Sequence, residues 1–194
     1  MAATTVRGLL LAAGAGRRMG GPKALLRDAA GTPYVVQAVQ VLRDGGCPDV
    51  TVVVGASAGD VRPLLAPLDV DVAVADDWDE GMGASLRAGL ADPSVRGADA
   101  VVVHLVDLPD VGADVVRRLL QEVPPVPGAL ARASYDGRAG HPVLIGADHW
   151  AGVVGGARGD RGARDYLRTH PHDLVECGDL ATGLDVDTPE AGGS

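Results

Sequence analysis

Two stretches of this chain carry residues able to act on a phosphate ester. The first, LLLAAGAGRRMGGPK at residues 9–23, passes from an apolar run into glycines, two adjacent arginines and Lys23. Lys23 is the single lysine among 17 basic residues. Glycines let backbone N–H groups come close to a triphosphate, and cationic side chains neutralise charge that builds on a departing pyrophosphate. The second stretch, HLVDLPDV at residues 104–111, places Asp107 directly after an apolar run. A carboxylate at such a point is well placed to hold Mg2+ against phosphate oxygens.

Two common glycine-rich loops do not fit the first stretch. A dinucleotide fingerprint needs G-x-G-x-x-G running into a helix, whereas Gly14, Gly16 and Gly20 give one residue too many and Pro22 interrupts. The ribose-binding acid after the second strand is also missing, since that strand ends Val54-Gly55-Ala56. A Walker A loop needs Gly-Lys-Ser/Thr, and here Lys23 is followed by Ala24.

The elements that must position these loops read as alternating strands and helices. Apolar runs predict strands at 6–11, 50–54, 70–74 and 100–106, with shorter strands at 129–133, 142–145 and 174–177. Helical patterns fall at 33–42, 60–66, 85–90, 113–121 and 163–168, with Thr32 as the expected cap of the first and Gly45-Gly46 as its stop. This order predicts right-handed βαβ units and an α/β fold, Rossmann-like, three layers deep with a mostly parallel sheet. Ligands bind such sheets beyond the carboxyl ends of the strands. The loops after Leu11, Val74 and Val106 are therefore expected to converge. Length and patterning fit one domain over residues 1–194.

The LAAGAGRRMGGPKALL loop resembles the signature of nucleotidyltransferases with a MobA-like fold, most of all the branch with the molybdenum cofactor cytidylyltransferases. The likeness rests on Leu11, Ala12, Ala13, Gly14, Gly16, Arg18, Met19, Gly20 and Lys23. It implies a fold like that of the nucleotide-diphospho-sugar transferases and a nucleoside triphosphate held by this loop. It also implies Mg2+ on Asp107, and Arg18 and Lys23 stabilising the leaving pyrophosphate. The segment WDEGMGASL resembles a second family motif, in which Gly81, Met82 and Gly83 lie against base or ribose and Ser85 touches the nucleotide or caps its helix. The segments around His141 and around Asp160 and Arg164 resemble those that shape the acceptor side. LDVDTPE resembles the family's D-x-D-T-P motif. Asp185 and Asp187, two apart on an extended segment, face one way, and Asp187 ahead of Asp185 completes the metal site with Asp107.

LAAG in place of LAGG points to CTP rather than GTP, and the implied acceptor is molybdopterin or a similar phosphorylated small molecule. A molybdoenzyme or maturation partner then belongs among the implied partners. The chain also resembles NAD(P)H-dependent oxidoreductases of the nicotine blue type, in which the basic loop would bind a dinucleotide pyrophosphate. Asp107 and Asp187 favour transfer, because hydride transfer needs no metal.

Plainer roles are expected elsewhere. His104 reads as a buried, hydrogen-bonded core residue, Trp78 as packing, and Asp110 and Asp160 as helix caps. Composition narrows the partners. A net charge of −9 disfavours nucleic acid and anionic membranes. The apolar stretch at 9–13 is too short for a signal peptide, and two distant cysteines make no disulfide framework, so a cytoplasmic location is expected.

Overall fold

The strand β1, Val6–Leu11, shows how the sheet is buried. Leu10 enters one apolar cluster and its neighbours Leu9 and Leu11 enter another, so successive side chains feed opposite faces. The computed structural model describes residues 4–16 and 20–185. Around β1 lie β2 (Asp49–Val54), β3 (Asp71–Val74), β4 (Ala100–Leu105), β5 (Leu130–Tyr135), β6 (Arg138–Gly146) and β7 (Asp173–Glu176). They form one sheet in the order β3-β2-β1-β4-β6-β5-β7. Pairing is parallel except where β6 runs against β4 and β5.

Helices cover both faces. On one face α1 (Tyr34–Asp44), α2 (Ala58–Leu65) and α4 (Ala113–Glu122) contribute Val39, Leu42, Leu65, Val116 and Leu119 to the first cluster. On the other, α3 (Met82–Ala91), α5 (Trp150–Gly156) and α6 (Arg164–Thr169) contribute Leu86, Leu90, Val153 and Leu167 to the second. This is the three-layer α/β/α arrangement that the sequence predicts. Cys47 and Cys177 are buried and free. Among the described residues no helix is long and apolar enough to cross a membrane.

The structure corrects several local expectations. Helix α1 starts at Tyr34 with Pro33, not Thr32, at its cap, and no side chain bonds there. Thr32 instead belongs to a turn tied by Asp28, whose Oδ1 accepts from the amides of Ala30 and Thr32. Asp110 does not cap α4, which begins after Gly112. Its Oδ2 accepts from the amide and hydroxyl of Thr182, at 2.7 and 2.5 Å. Helix α5 was not expected, because WAGVVGG carries three glycines of low helix propensity. Tertiary contacts hold it: Val153 is fully buried, and the Trp150 indole donates to the Ile145 carbonyl.

Candidate active site

Three segments meet where the parallel strands end. After β1 the chain is pinned on both sides. Ala12 donates to the Val53 carbonyl, Ala56 to the Ala13 carbonyl and Val106 to the Leu11 carbonyl. The loop then closes on itself through the Gly21 amide and the Gly16 carbonyl, 3.2 Å apart. Gly16 has φ +59°, and a Cβ there would lie 1.7 Å from the Gly21 oxygen, so the closure requires glycine. Among the described residues, nothing accepts a hydrogen bond from the amides of Gly14, Ala15 or Gly16. Lys23 opens a single 3-10 turn, Lys23–Leu25, seated by the buried Ala24.

The second segment enters α3. Gly81, at φ +109°, is the residue before the helix, and a Cβ on it would meet Asp160 Oδ1 at 2.4 Å. The loop at 159–160 therefore sits directly on the backbone of Gly81. The third segment follows β4 and carries Asp107. Together the three enclose a cleft of about 490 Å3 lined by Leu11, Gly14, Gly16 and Lys23, by Trp78, Asp79, Gly81, Met82 and Ser85, and by Leu105, Asp107 and Asp160. Lys23 Nζ donates to Asp107 Oδ2 at 2.9 Å, and both side chains are about four-fifths covered.

Most of the residues singled out in the sequence thus gather in one place, and the exceptions are informative. Ala13 lines the cleft, but Ala12 faces the core under the opposite helices. Gly83 packs against the backbone of Ala157 and Arg158 instead of lining the cleft. Ser85 caps nothing: it lies within α3, nearly buried, with its side of the helix toward the cleft. Asp160 is a cleft residue and not a cap, since α6 starts after Ala163. His141 and Arg164 stand outside the cleft lining. Asp185 is exposed at the end of the described chain, and Arg18 and Asp187 lie outside the described residues. The segment leading to Asp185 is tethered by Thr182 to Asp110, in the same loop as Asp107.

Three titratable groups outside the cleft lining are displaced from their ordinary range. Burial lowers His104 to about 4, and its Nδ1 is buried without a partner among the described residues, so it is not the hydrogen-bonded residue expected. Burial first, and then the charge of Arg132, lower His141 to about 3. Arg132 is itself pushed down by burial and by Arg164. Sequence reading passed over Arg132, although an arginine inside the strand ALARASY is a visible signal.

The sequence of the chain matches the MobA-like NTP transferase domain over residues 8–174. It belongs to that family. The MobA-like chain is 42% identical to nicotine blue oxidoreductase of Paenarthrobacter nicotinovorans, over 95% of its own length and 93% of that protein. It is 32% identical to the molybdenum cofactor guanylyltransferase of Rhodobacter capsulatus, over 67% of its length and 65% of that protein. Among solved structures, Rv0371c of Mycobacterium tuberculosis superposes with a TM-score of 0.78 at 29% identity, covering 96% of this chain and 95% of the other. Rv0371c has also been solved as a complex with manganese, matched here with a TM-score of 0.73 at 26% identity and 94% coverage of each chain. Family membership places this MobA-like chain with the NTP transferases, and the superposition on Rv0371c shows the shared fold.

Proposed function

We propose that the chain transfers a nucleotidyl group, CMP from CTP first, to a phosphorylated small molecule such as molybdopterin and releases pyrophosphate. The observation that carries this reading is the Lys23–Asp107 pair, set in the cleft at the carboxyl ends of the strands. A lysine and a carboxylate held together there supply the two charges the reaction needs, one for phosphate oxygens and one for a cation.

The donor set fits Mg2+. The ion prefers oxygen ligands and usually takes only one or two carboxylates, the rest being water and substrate phosphate. Asp107 would hold the ion, with Asp185 or Asp187 as the second carboxylate. The manganese complex of Rv0371c supports a divalent ion on this fold. When bound, the ion supplies charge neutralisation on the triphosphate.

The chain's own groups do the rest. On nucleotide binding, Lys23 exchanges part of its contact with Asp107 for phosphate oxygens and stabilises the charge that grows on the leaving pyrophosphate. The amides of Gly14, Ala15 and Gly16 are available to the same phosphates. Asp79 and Asp160 offer acceptors to ribose hydroxyls or base amino groups. No protein nucleophile is needed, since the acceptor phosphate is already ionised and catalysis is positioning plus charge neutralisation.

The test is a thermal-shift panel of CTP, GTP, ATP, UTP, NADH and NADPH with and without Mg2+, followed by assay of pyrophosphate release with the best binder. A Mg2+-dependent rise with a triphosphate supports transfer by linkage. A second reading, reduction by NAD(P)H, is favoured by the 42% identity to nicotine blue oxidoreductase over nearly the whole chain. Saturable binding and oxidation of NADH, with no binding of any triphosphate plus Mg2+, reverse the order of the two.

A further inference from the structure

One side of the cleft is a seam between two chain segments. Gly81, just before α3, and Gly83, in its first turn, lie against the backbone of residues 157–160. A Cβ on Gly81 would come within 2.7 Å of the Gly159 carbonyl carbon, and one on Gly83 within 2.8 Å of the Arg158 nitrogen. Among the described residues no backbone hydrogen bond crosses this seam. Close approach of two backbones supplies dispersion, which loses a quarter to a half of its strength over a gap of about 0.5–1 Å, and it sets no direction.

Arg87 of α3 bridges the seam. Its Nη2 donates to Glu80 Oε2 at 2.5 Å, and its Nη1 donates to the Ala157 carbonyl at 2.8 Å, 70 residues further along the chain. The arginine side chain is about three-quarters covered. Ala157 is fully buried, and among the described residues no backbone amide outside a helix donates to its carbonyl. Its donors are the guanidinium groups of Arg87 and of Arg158, the latter at 3.0 Å. A buried carbonyl needs such a donor. A planar fork that holds a carboxylate on one nitrogen and a carbonyl on another fixes the spacing between them, which a single ammonium does not.

Both ends of this bridge lead to cleft residues, although Arg87 itself is outside the lining. Glu80 belongs to the turn Trp78–Glu80, which turns Trp78 and Asp79 to the cleft. Ala157 begins the segment that brings in Asp160. Lys23 and Asp107 stand on other loops, after β1 and β4. An indole and two carboxylates do not attract phosphate oxygens, so their wall suits the uncharged nucleoside half of a nucleotide, with hydroxyl and amino donors.

We propose that Arg87 is a positioning residue for nucleotide binding. By clamping the Glu80 turn to the Ala157 carbonyl it fixes the wall made by Trp78, Asp79 and Asp160. That this wall receives a nucleoside rests on the transfer reaction proposed above; the clamp itself does not.

The experiment compares Arg87→Met, Arg87→Lys and Glu80→Gln with the parent in two measurements. The first is amide hydrogen exchange of the full chain without ligand. In Arg87→Met, exchange is expected to rise ~10-fold at 78–83 and 157–162, as for loss of a charge-assisted hydrogen bond, and to keep the parent's rate in β1 and β4. Unchanged exchange in both segments overturns the clamp. So does a rise spread over the whole sheet, which would make Arg87 a general stabiliser.

The second is calorimetric titration of CTP, GTP and inorganic tripolyphosphate, each with Mg2+. In Arg87→Met, affinity for the nucleotide is expected to fall ~10-fold while affinity for tripolyphosphate holds. Arg87→Lys, whose ammonium reaches one partner at a time, is expected to restore part of the loss. Glu80→Gln keeps an acceptor without its charge and is expected to lose less. Equal loss of nucleotide and tripolyphosphate, or undiminished nucleotide affinity, overturns the positioning role. Should Arg87→Met fail to fold, parent-like exchange and binding in Glu80→Gln overturn it instead. A parent that binds no triphosphate sinks the transfer reading, and exchange alone then decides the clamp.

Discussion

Lys23 Nζ and Asp107 Oδ2 are 2.9 Å apart although 84 residues separate them in the chain. The strands β1 and β4 are adjacent and parallel, so the loops that follow them must rise side by side. In the transfer reaction proposed above, a phosphate and a cation would divide this pair.

Removing either partner should therefore damage chemistry more than folding. Lys23→Ala is expected to lower kcat ~10²-fold or more, the usual effect of losing a transition-state charge stabiliser. Lys23→Arg should not restore it, since a planar guanidinium cannot replace a compact ammonium on a short turn. Asp107→Asn should abolish the Mg2+ dependence of nucleotide binding in the thermal-shift assay. Wild-type pyrophosphate release by Lys23→Ala would remove Lys23 from the mechanism.

Gly81 tests the contact between the two sides of the cleft. At φ +109°, with Asp160 Oδ1 2.4 Å from any added Cβ, it tolerates no side chain. Gly81→Ala is expected to cost about 1–3 kcal/mol of stability and to raise the nucleotide KM, since the loop at 159–160 must move. Gly59, in α2 with open space around it and no positive φ, is the control. Gly59→Ala should be neutral or stabilising by up to about 1 kcal/mol. Equal melting temperatures for the two variants would show that the Gly81 contact is slack.

Much of the architecture was legible because the strands 6–11, 50–54 and 100–106 are apolar on both faces, and only a covered parallel sheet accommodates that. Asp107 and Lys23 were legible for a related reason: each follows directly on such a strand or its loop, so topology alone brings them together. Local capping was not legible. Thr32, Ser85, Asp110 and Asp160 are all good capping types, but Thr32 is held in a local turn closed by Asp28, and the other three have tertiary settings that local sequence does not reveal.

Buried His104 makes stability pH-dependent in mild acid. Its folded value of about 4 lies below the ordinary histidine value, so the unfolded chain takes up the proton first. The stabilising contribution is complete above about pH 6.5 and disappears as pH falls toward the folded value. Between pH 7 and 5 this is on the order of 2 kcal/mol, or a melting point lower by roughly 4–8 °C. His141, also lowered, steepens the same slope. His104→Leu should flatten part of the profile and cost little at pH 7, because the Nδ1 it removes has no partner to orphan. An unchanged profile in His104→Leu would show that the ring is protonated, or solvated, in the native state.

Glu176 carries the opposite kind of acid sensitivity. Its carboxylate accepts from the Ser134 hydroxyl and from the amides of Asp136, Gly137 and Gly178. The Ser134 bond, and then the backbone amides of Gly137 and Gly178, hold it down to about 2. These bonds join β7 to the turn between β5 and β6, and β6 begins just before Gly140 and His141. A depressed carboxylate stabilises fully above its unfolded value, about pH 4.3, and loses that contribution as pH falls through the folded one. Glu176→Gln should therefore melt below the parent at pH 7, and the two curves should converge as pH approaches 2. A constant offset between the two melting curves from pH 7 to 2 would mean that the carboxylate charge contributes nothing and that only its shape matters.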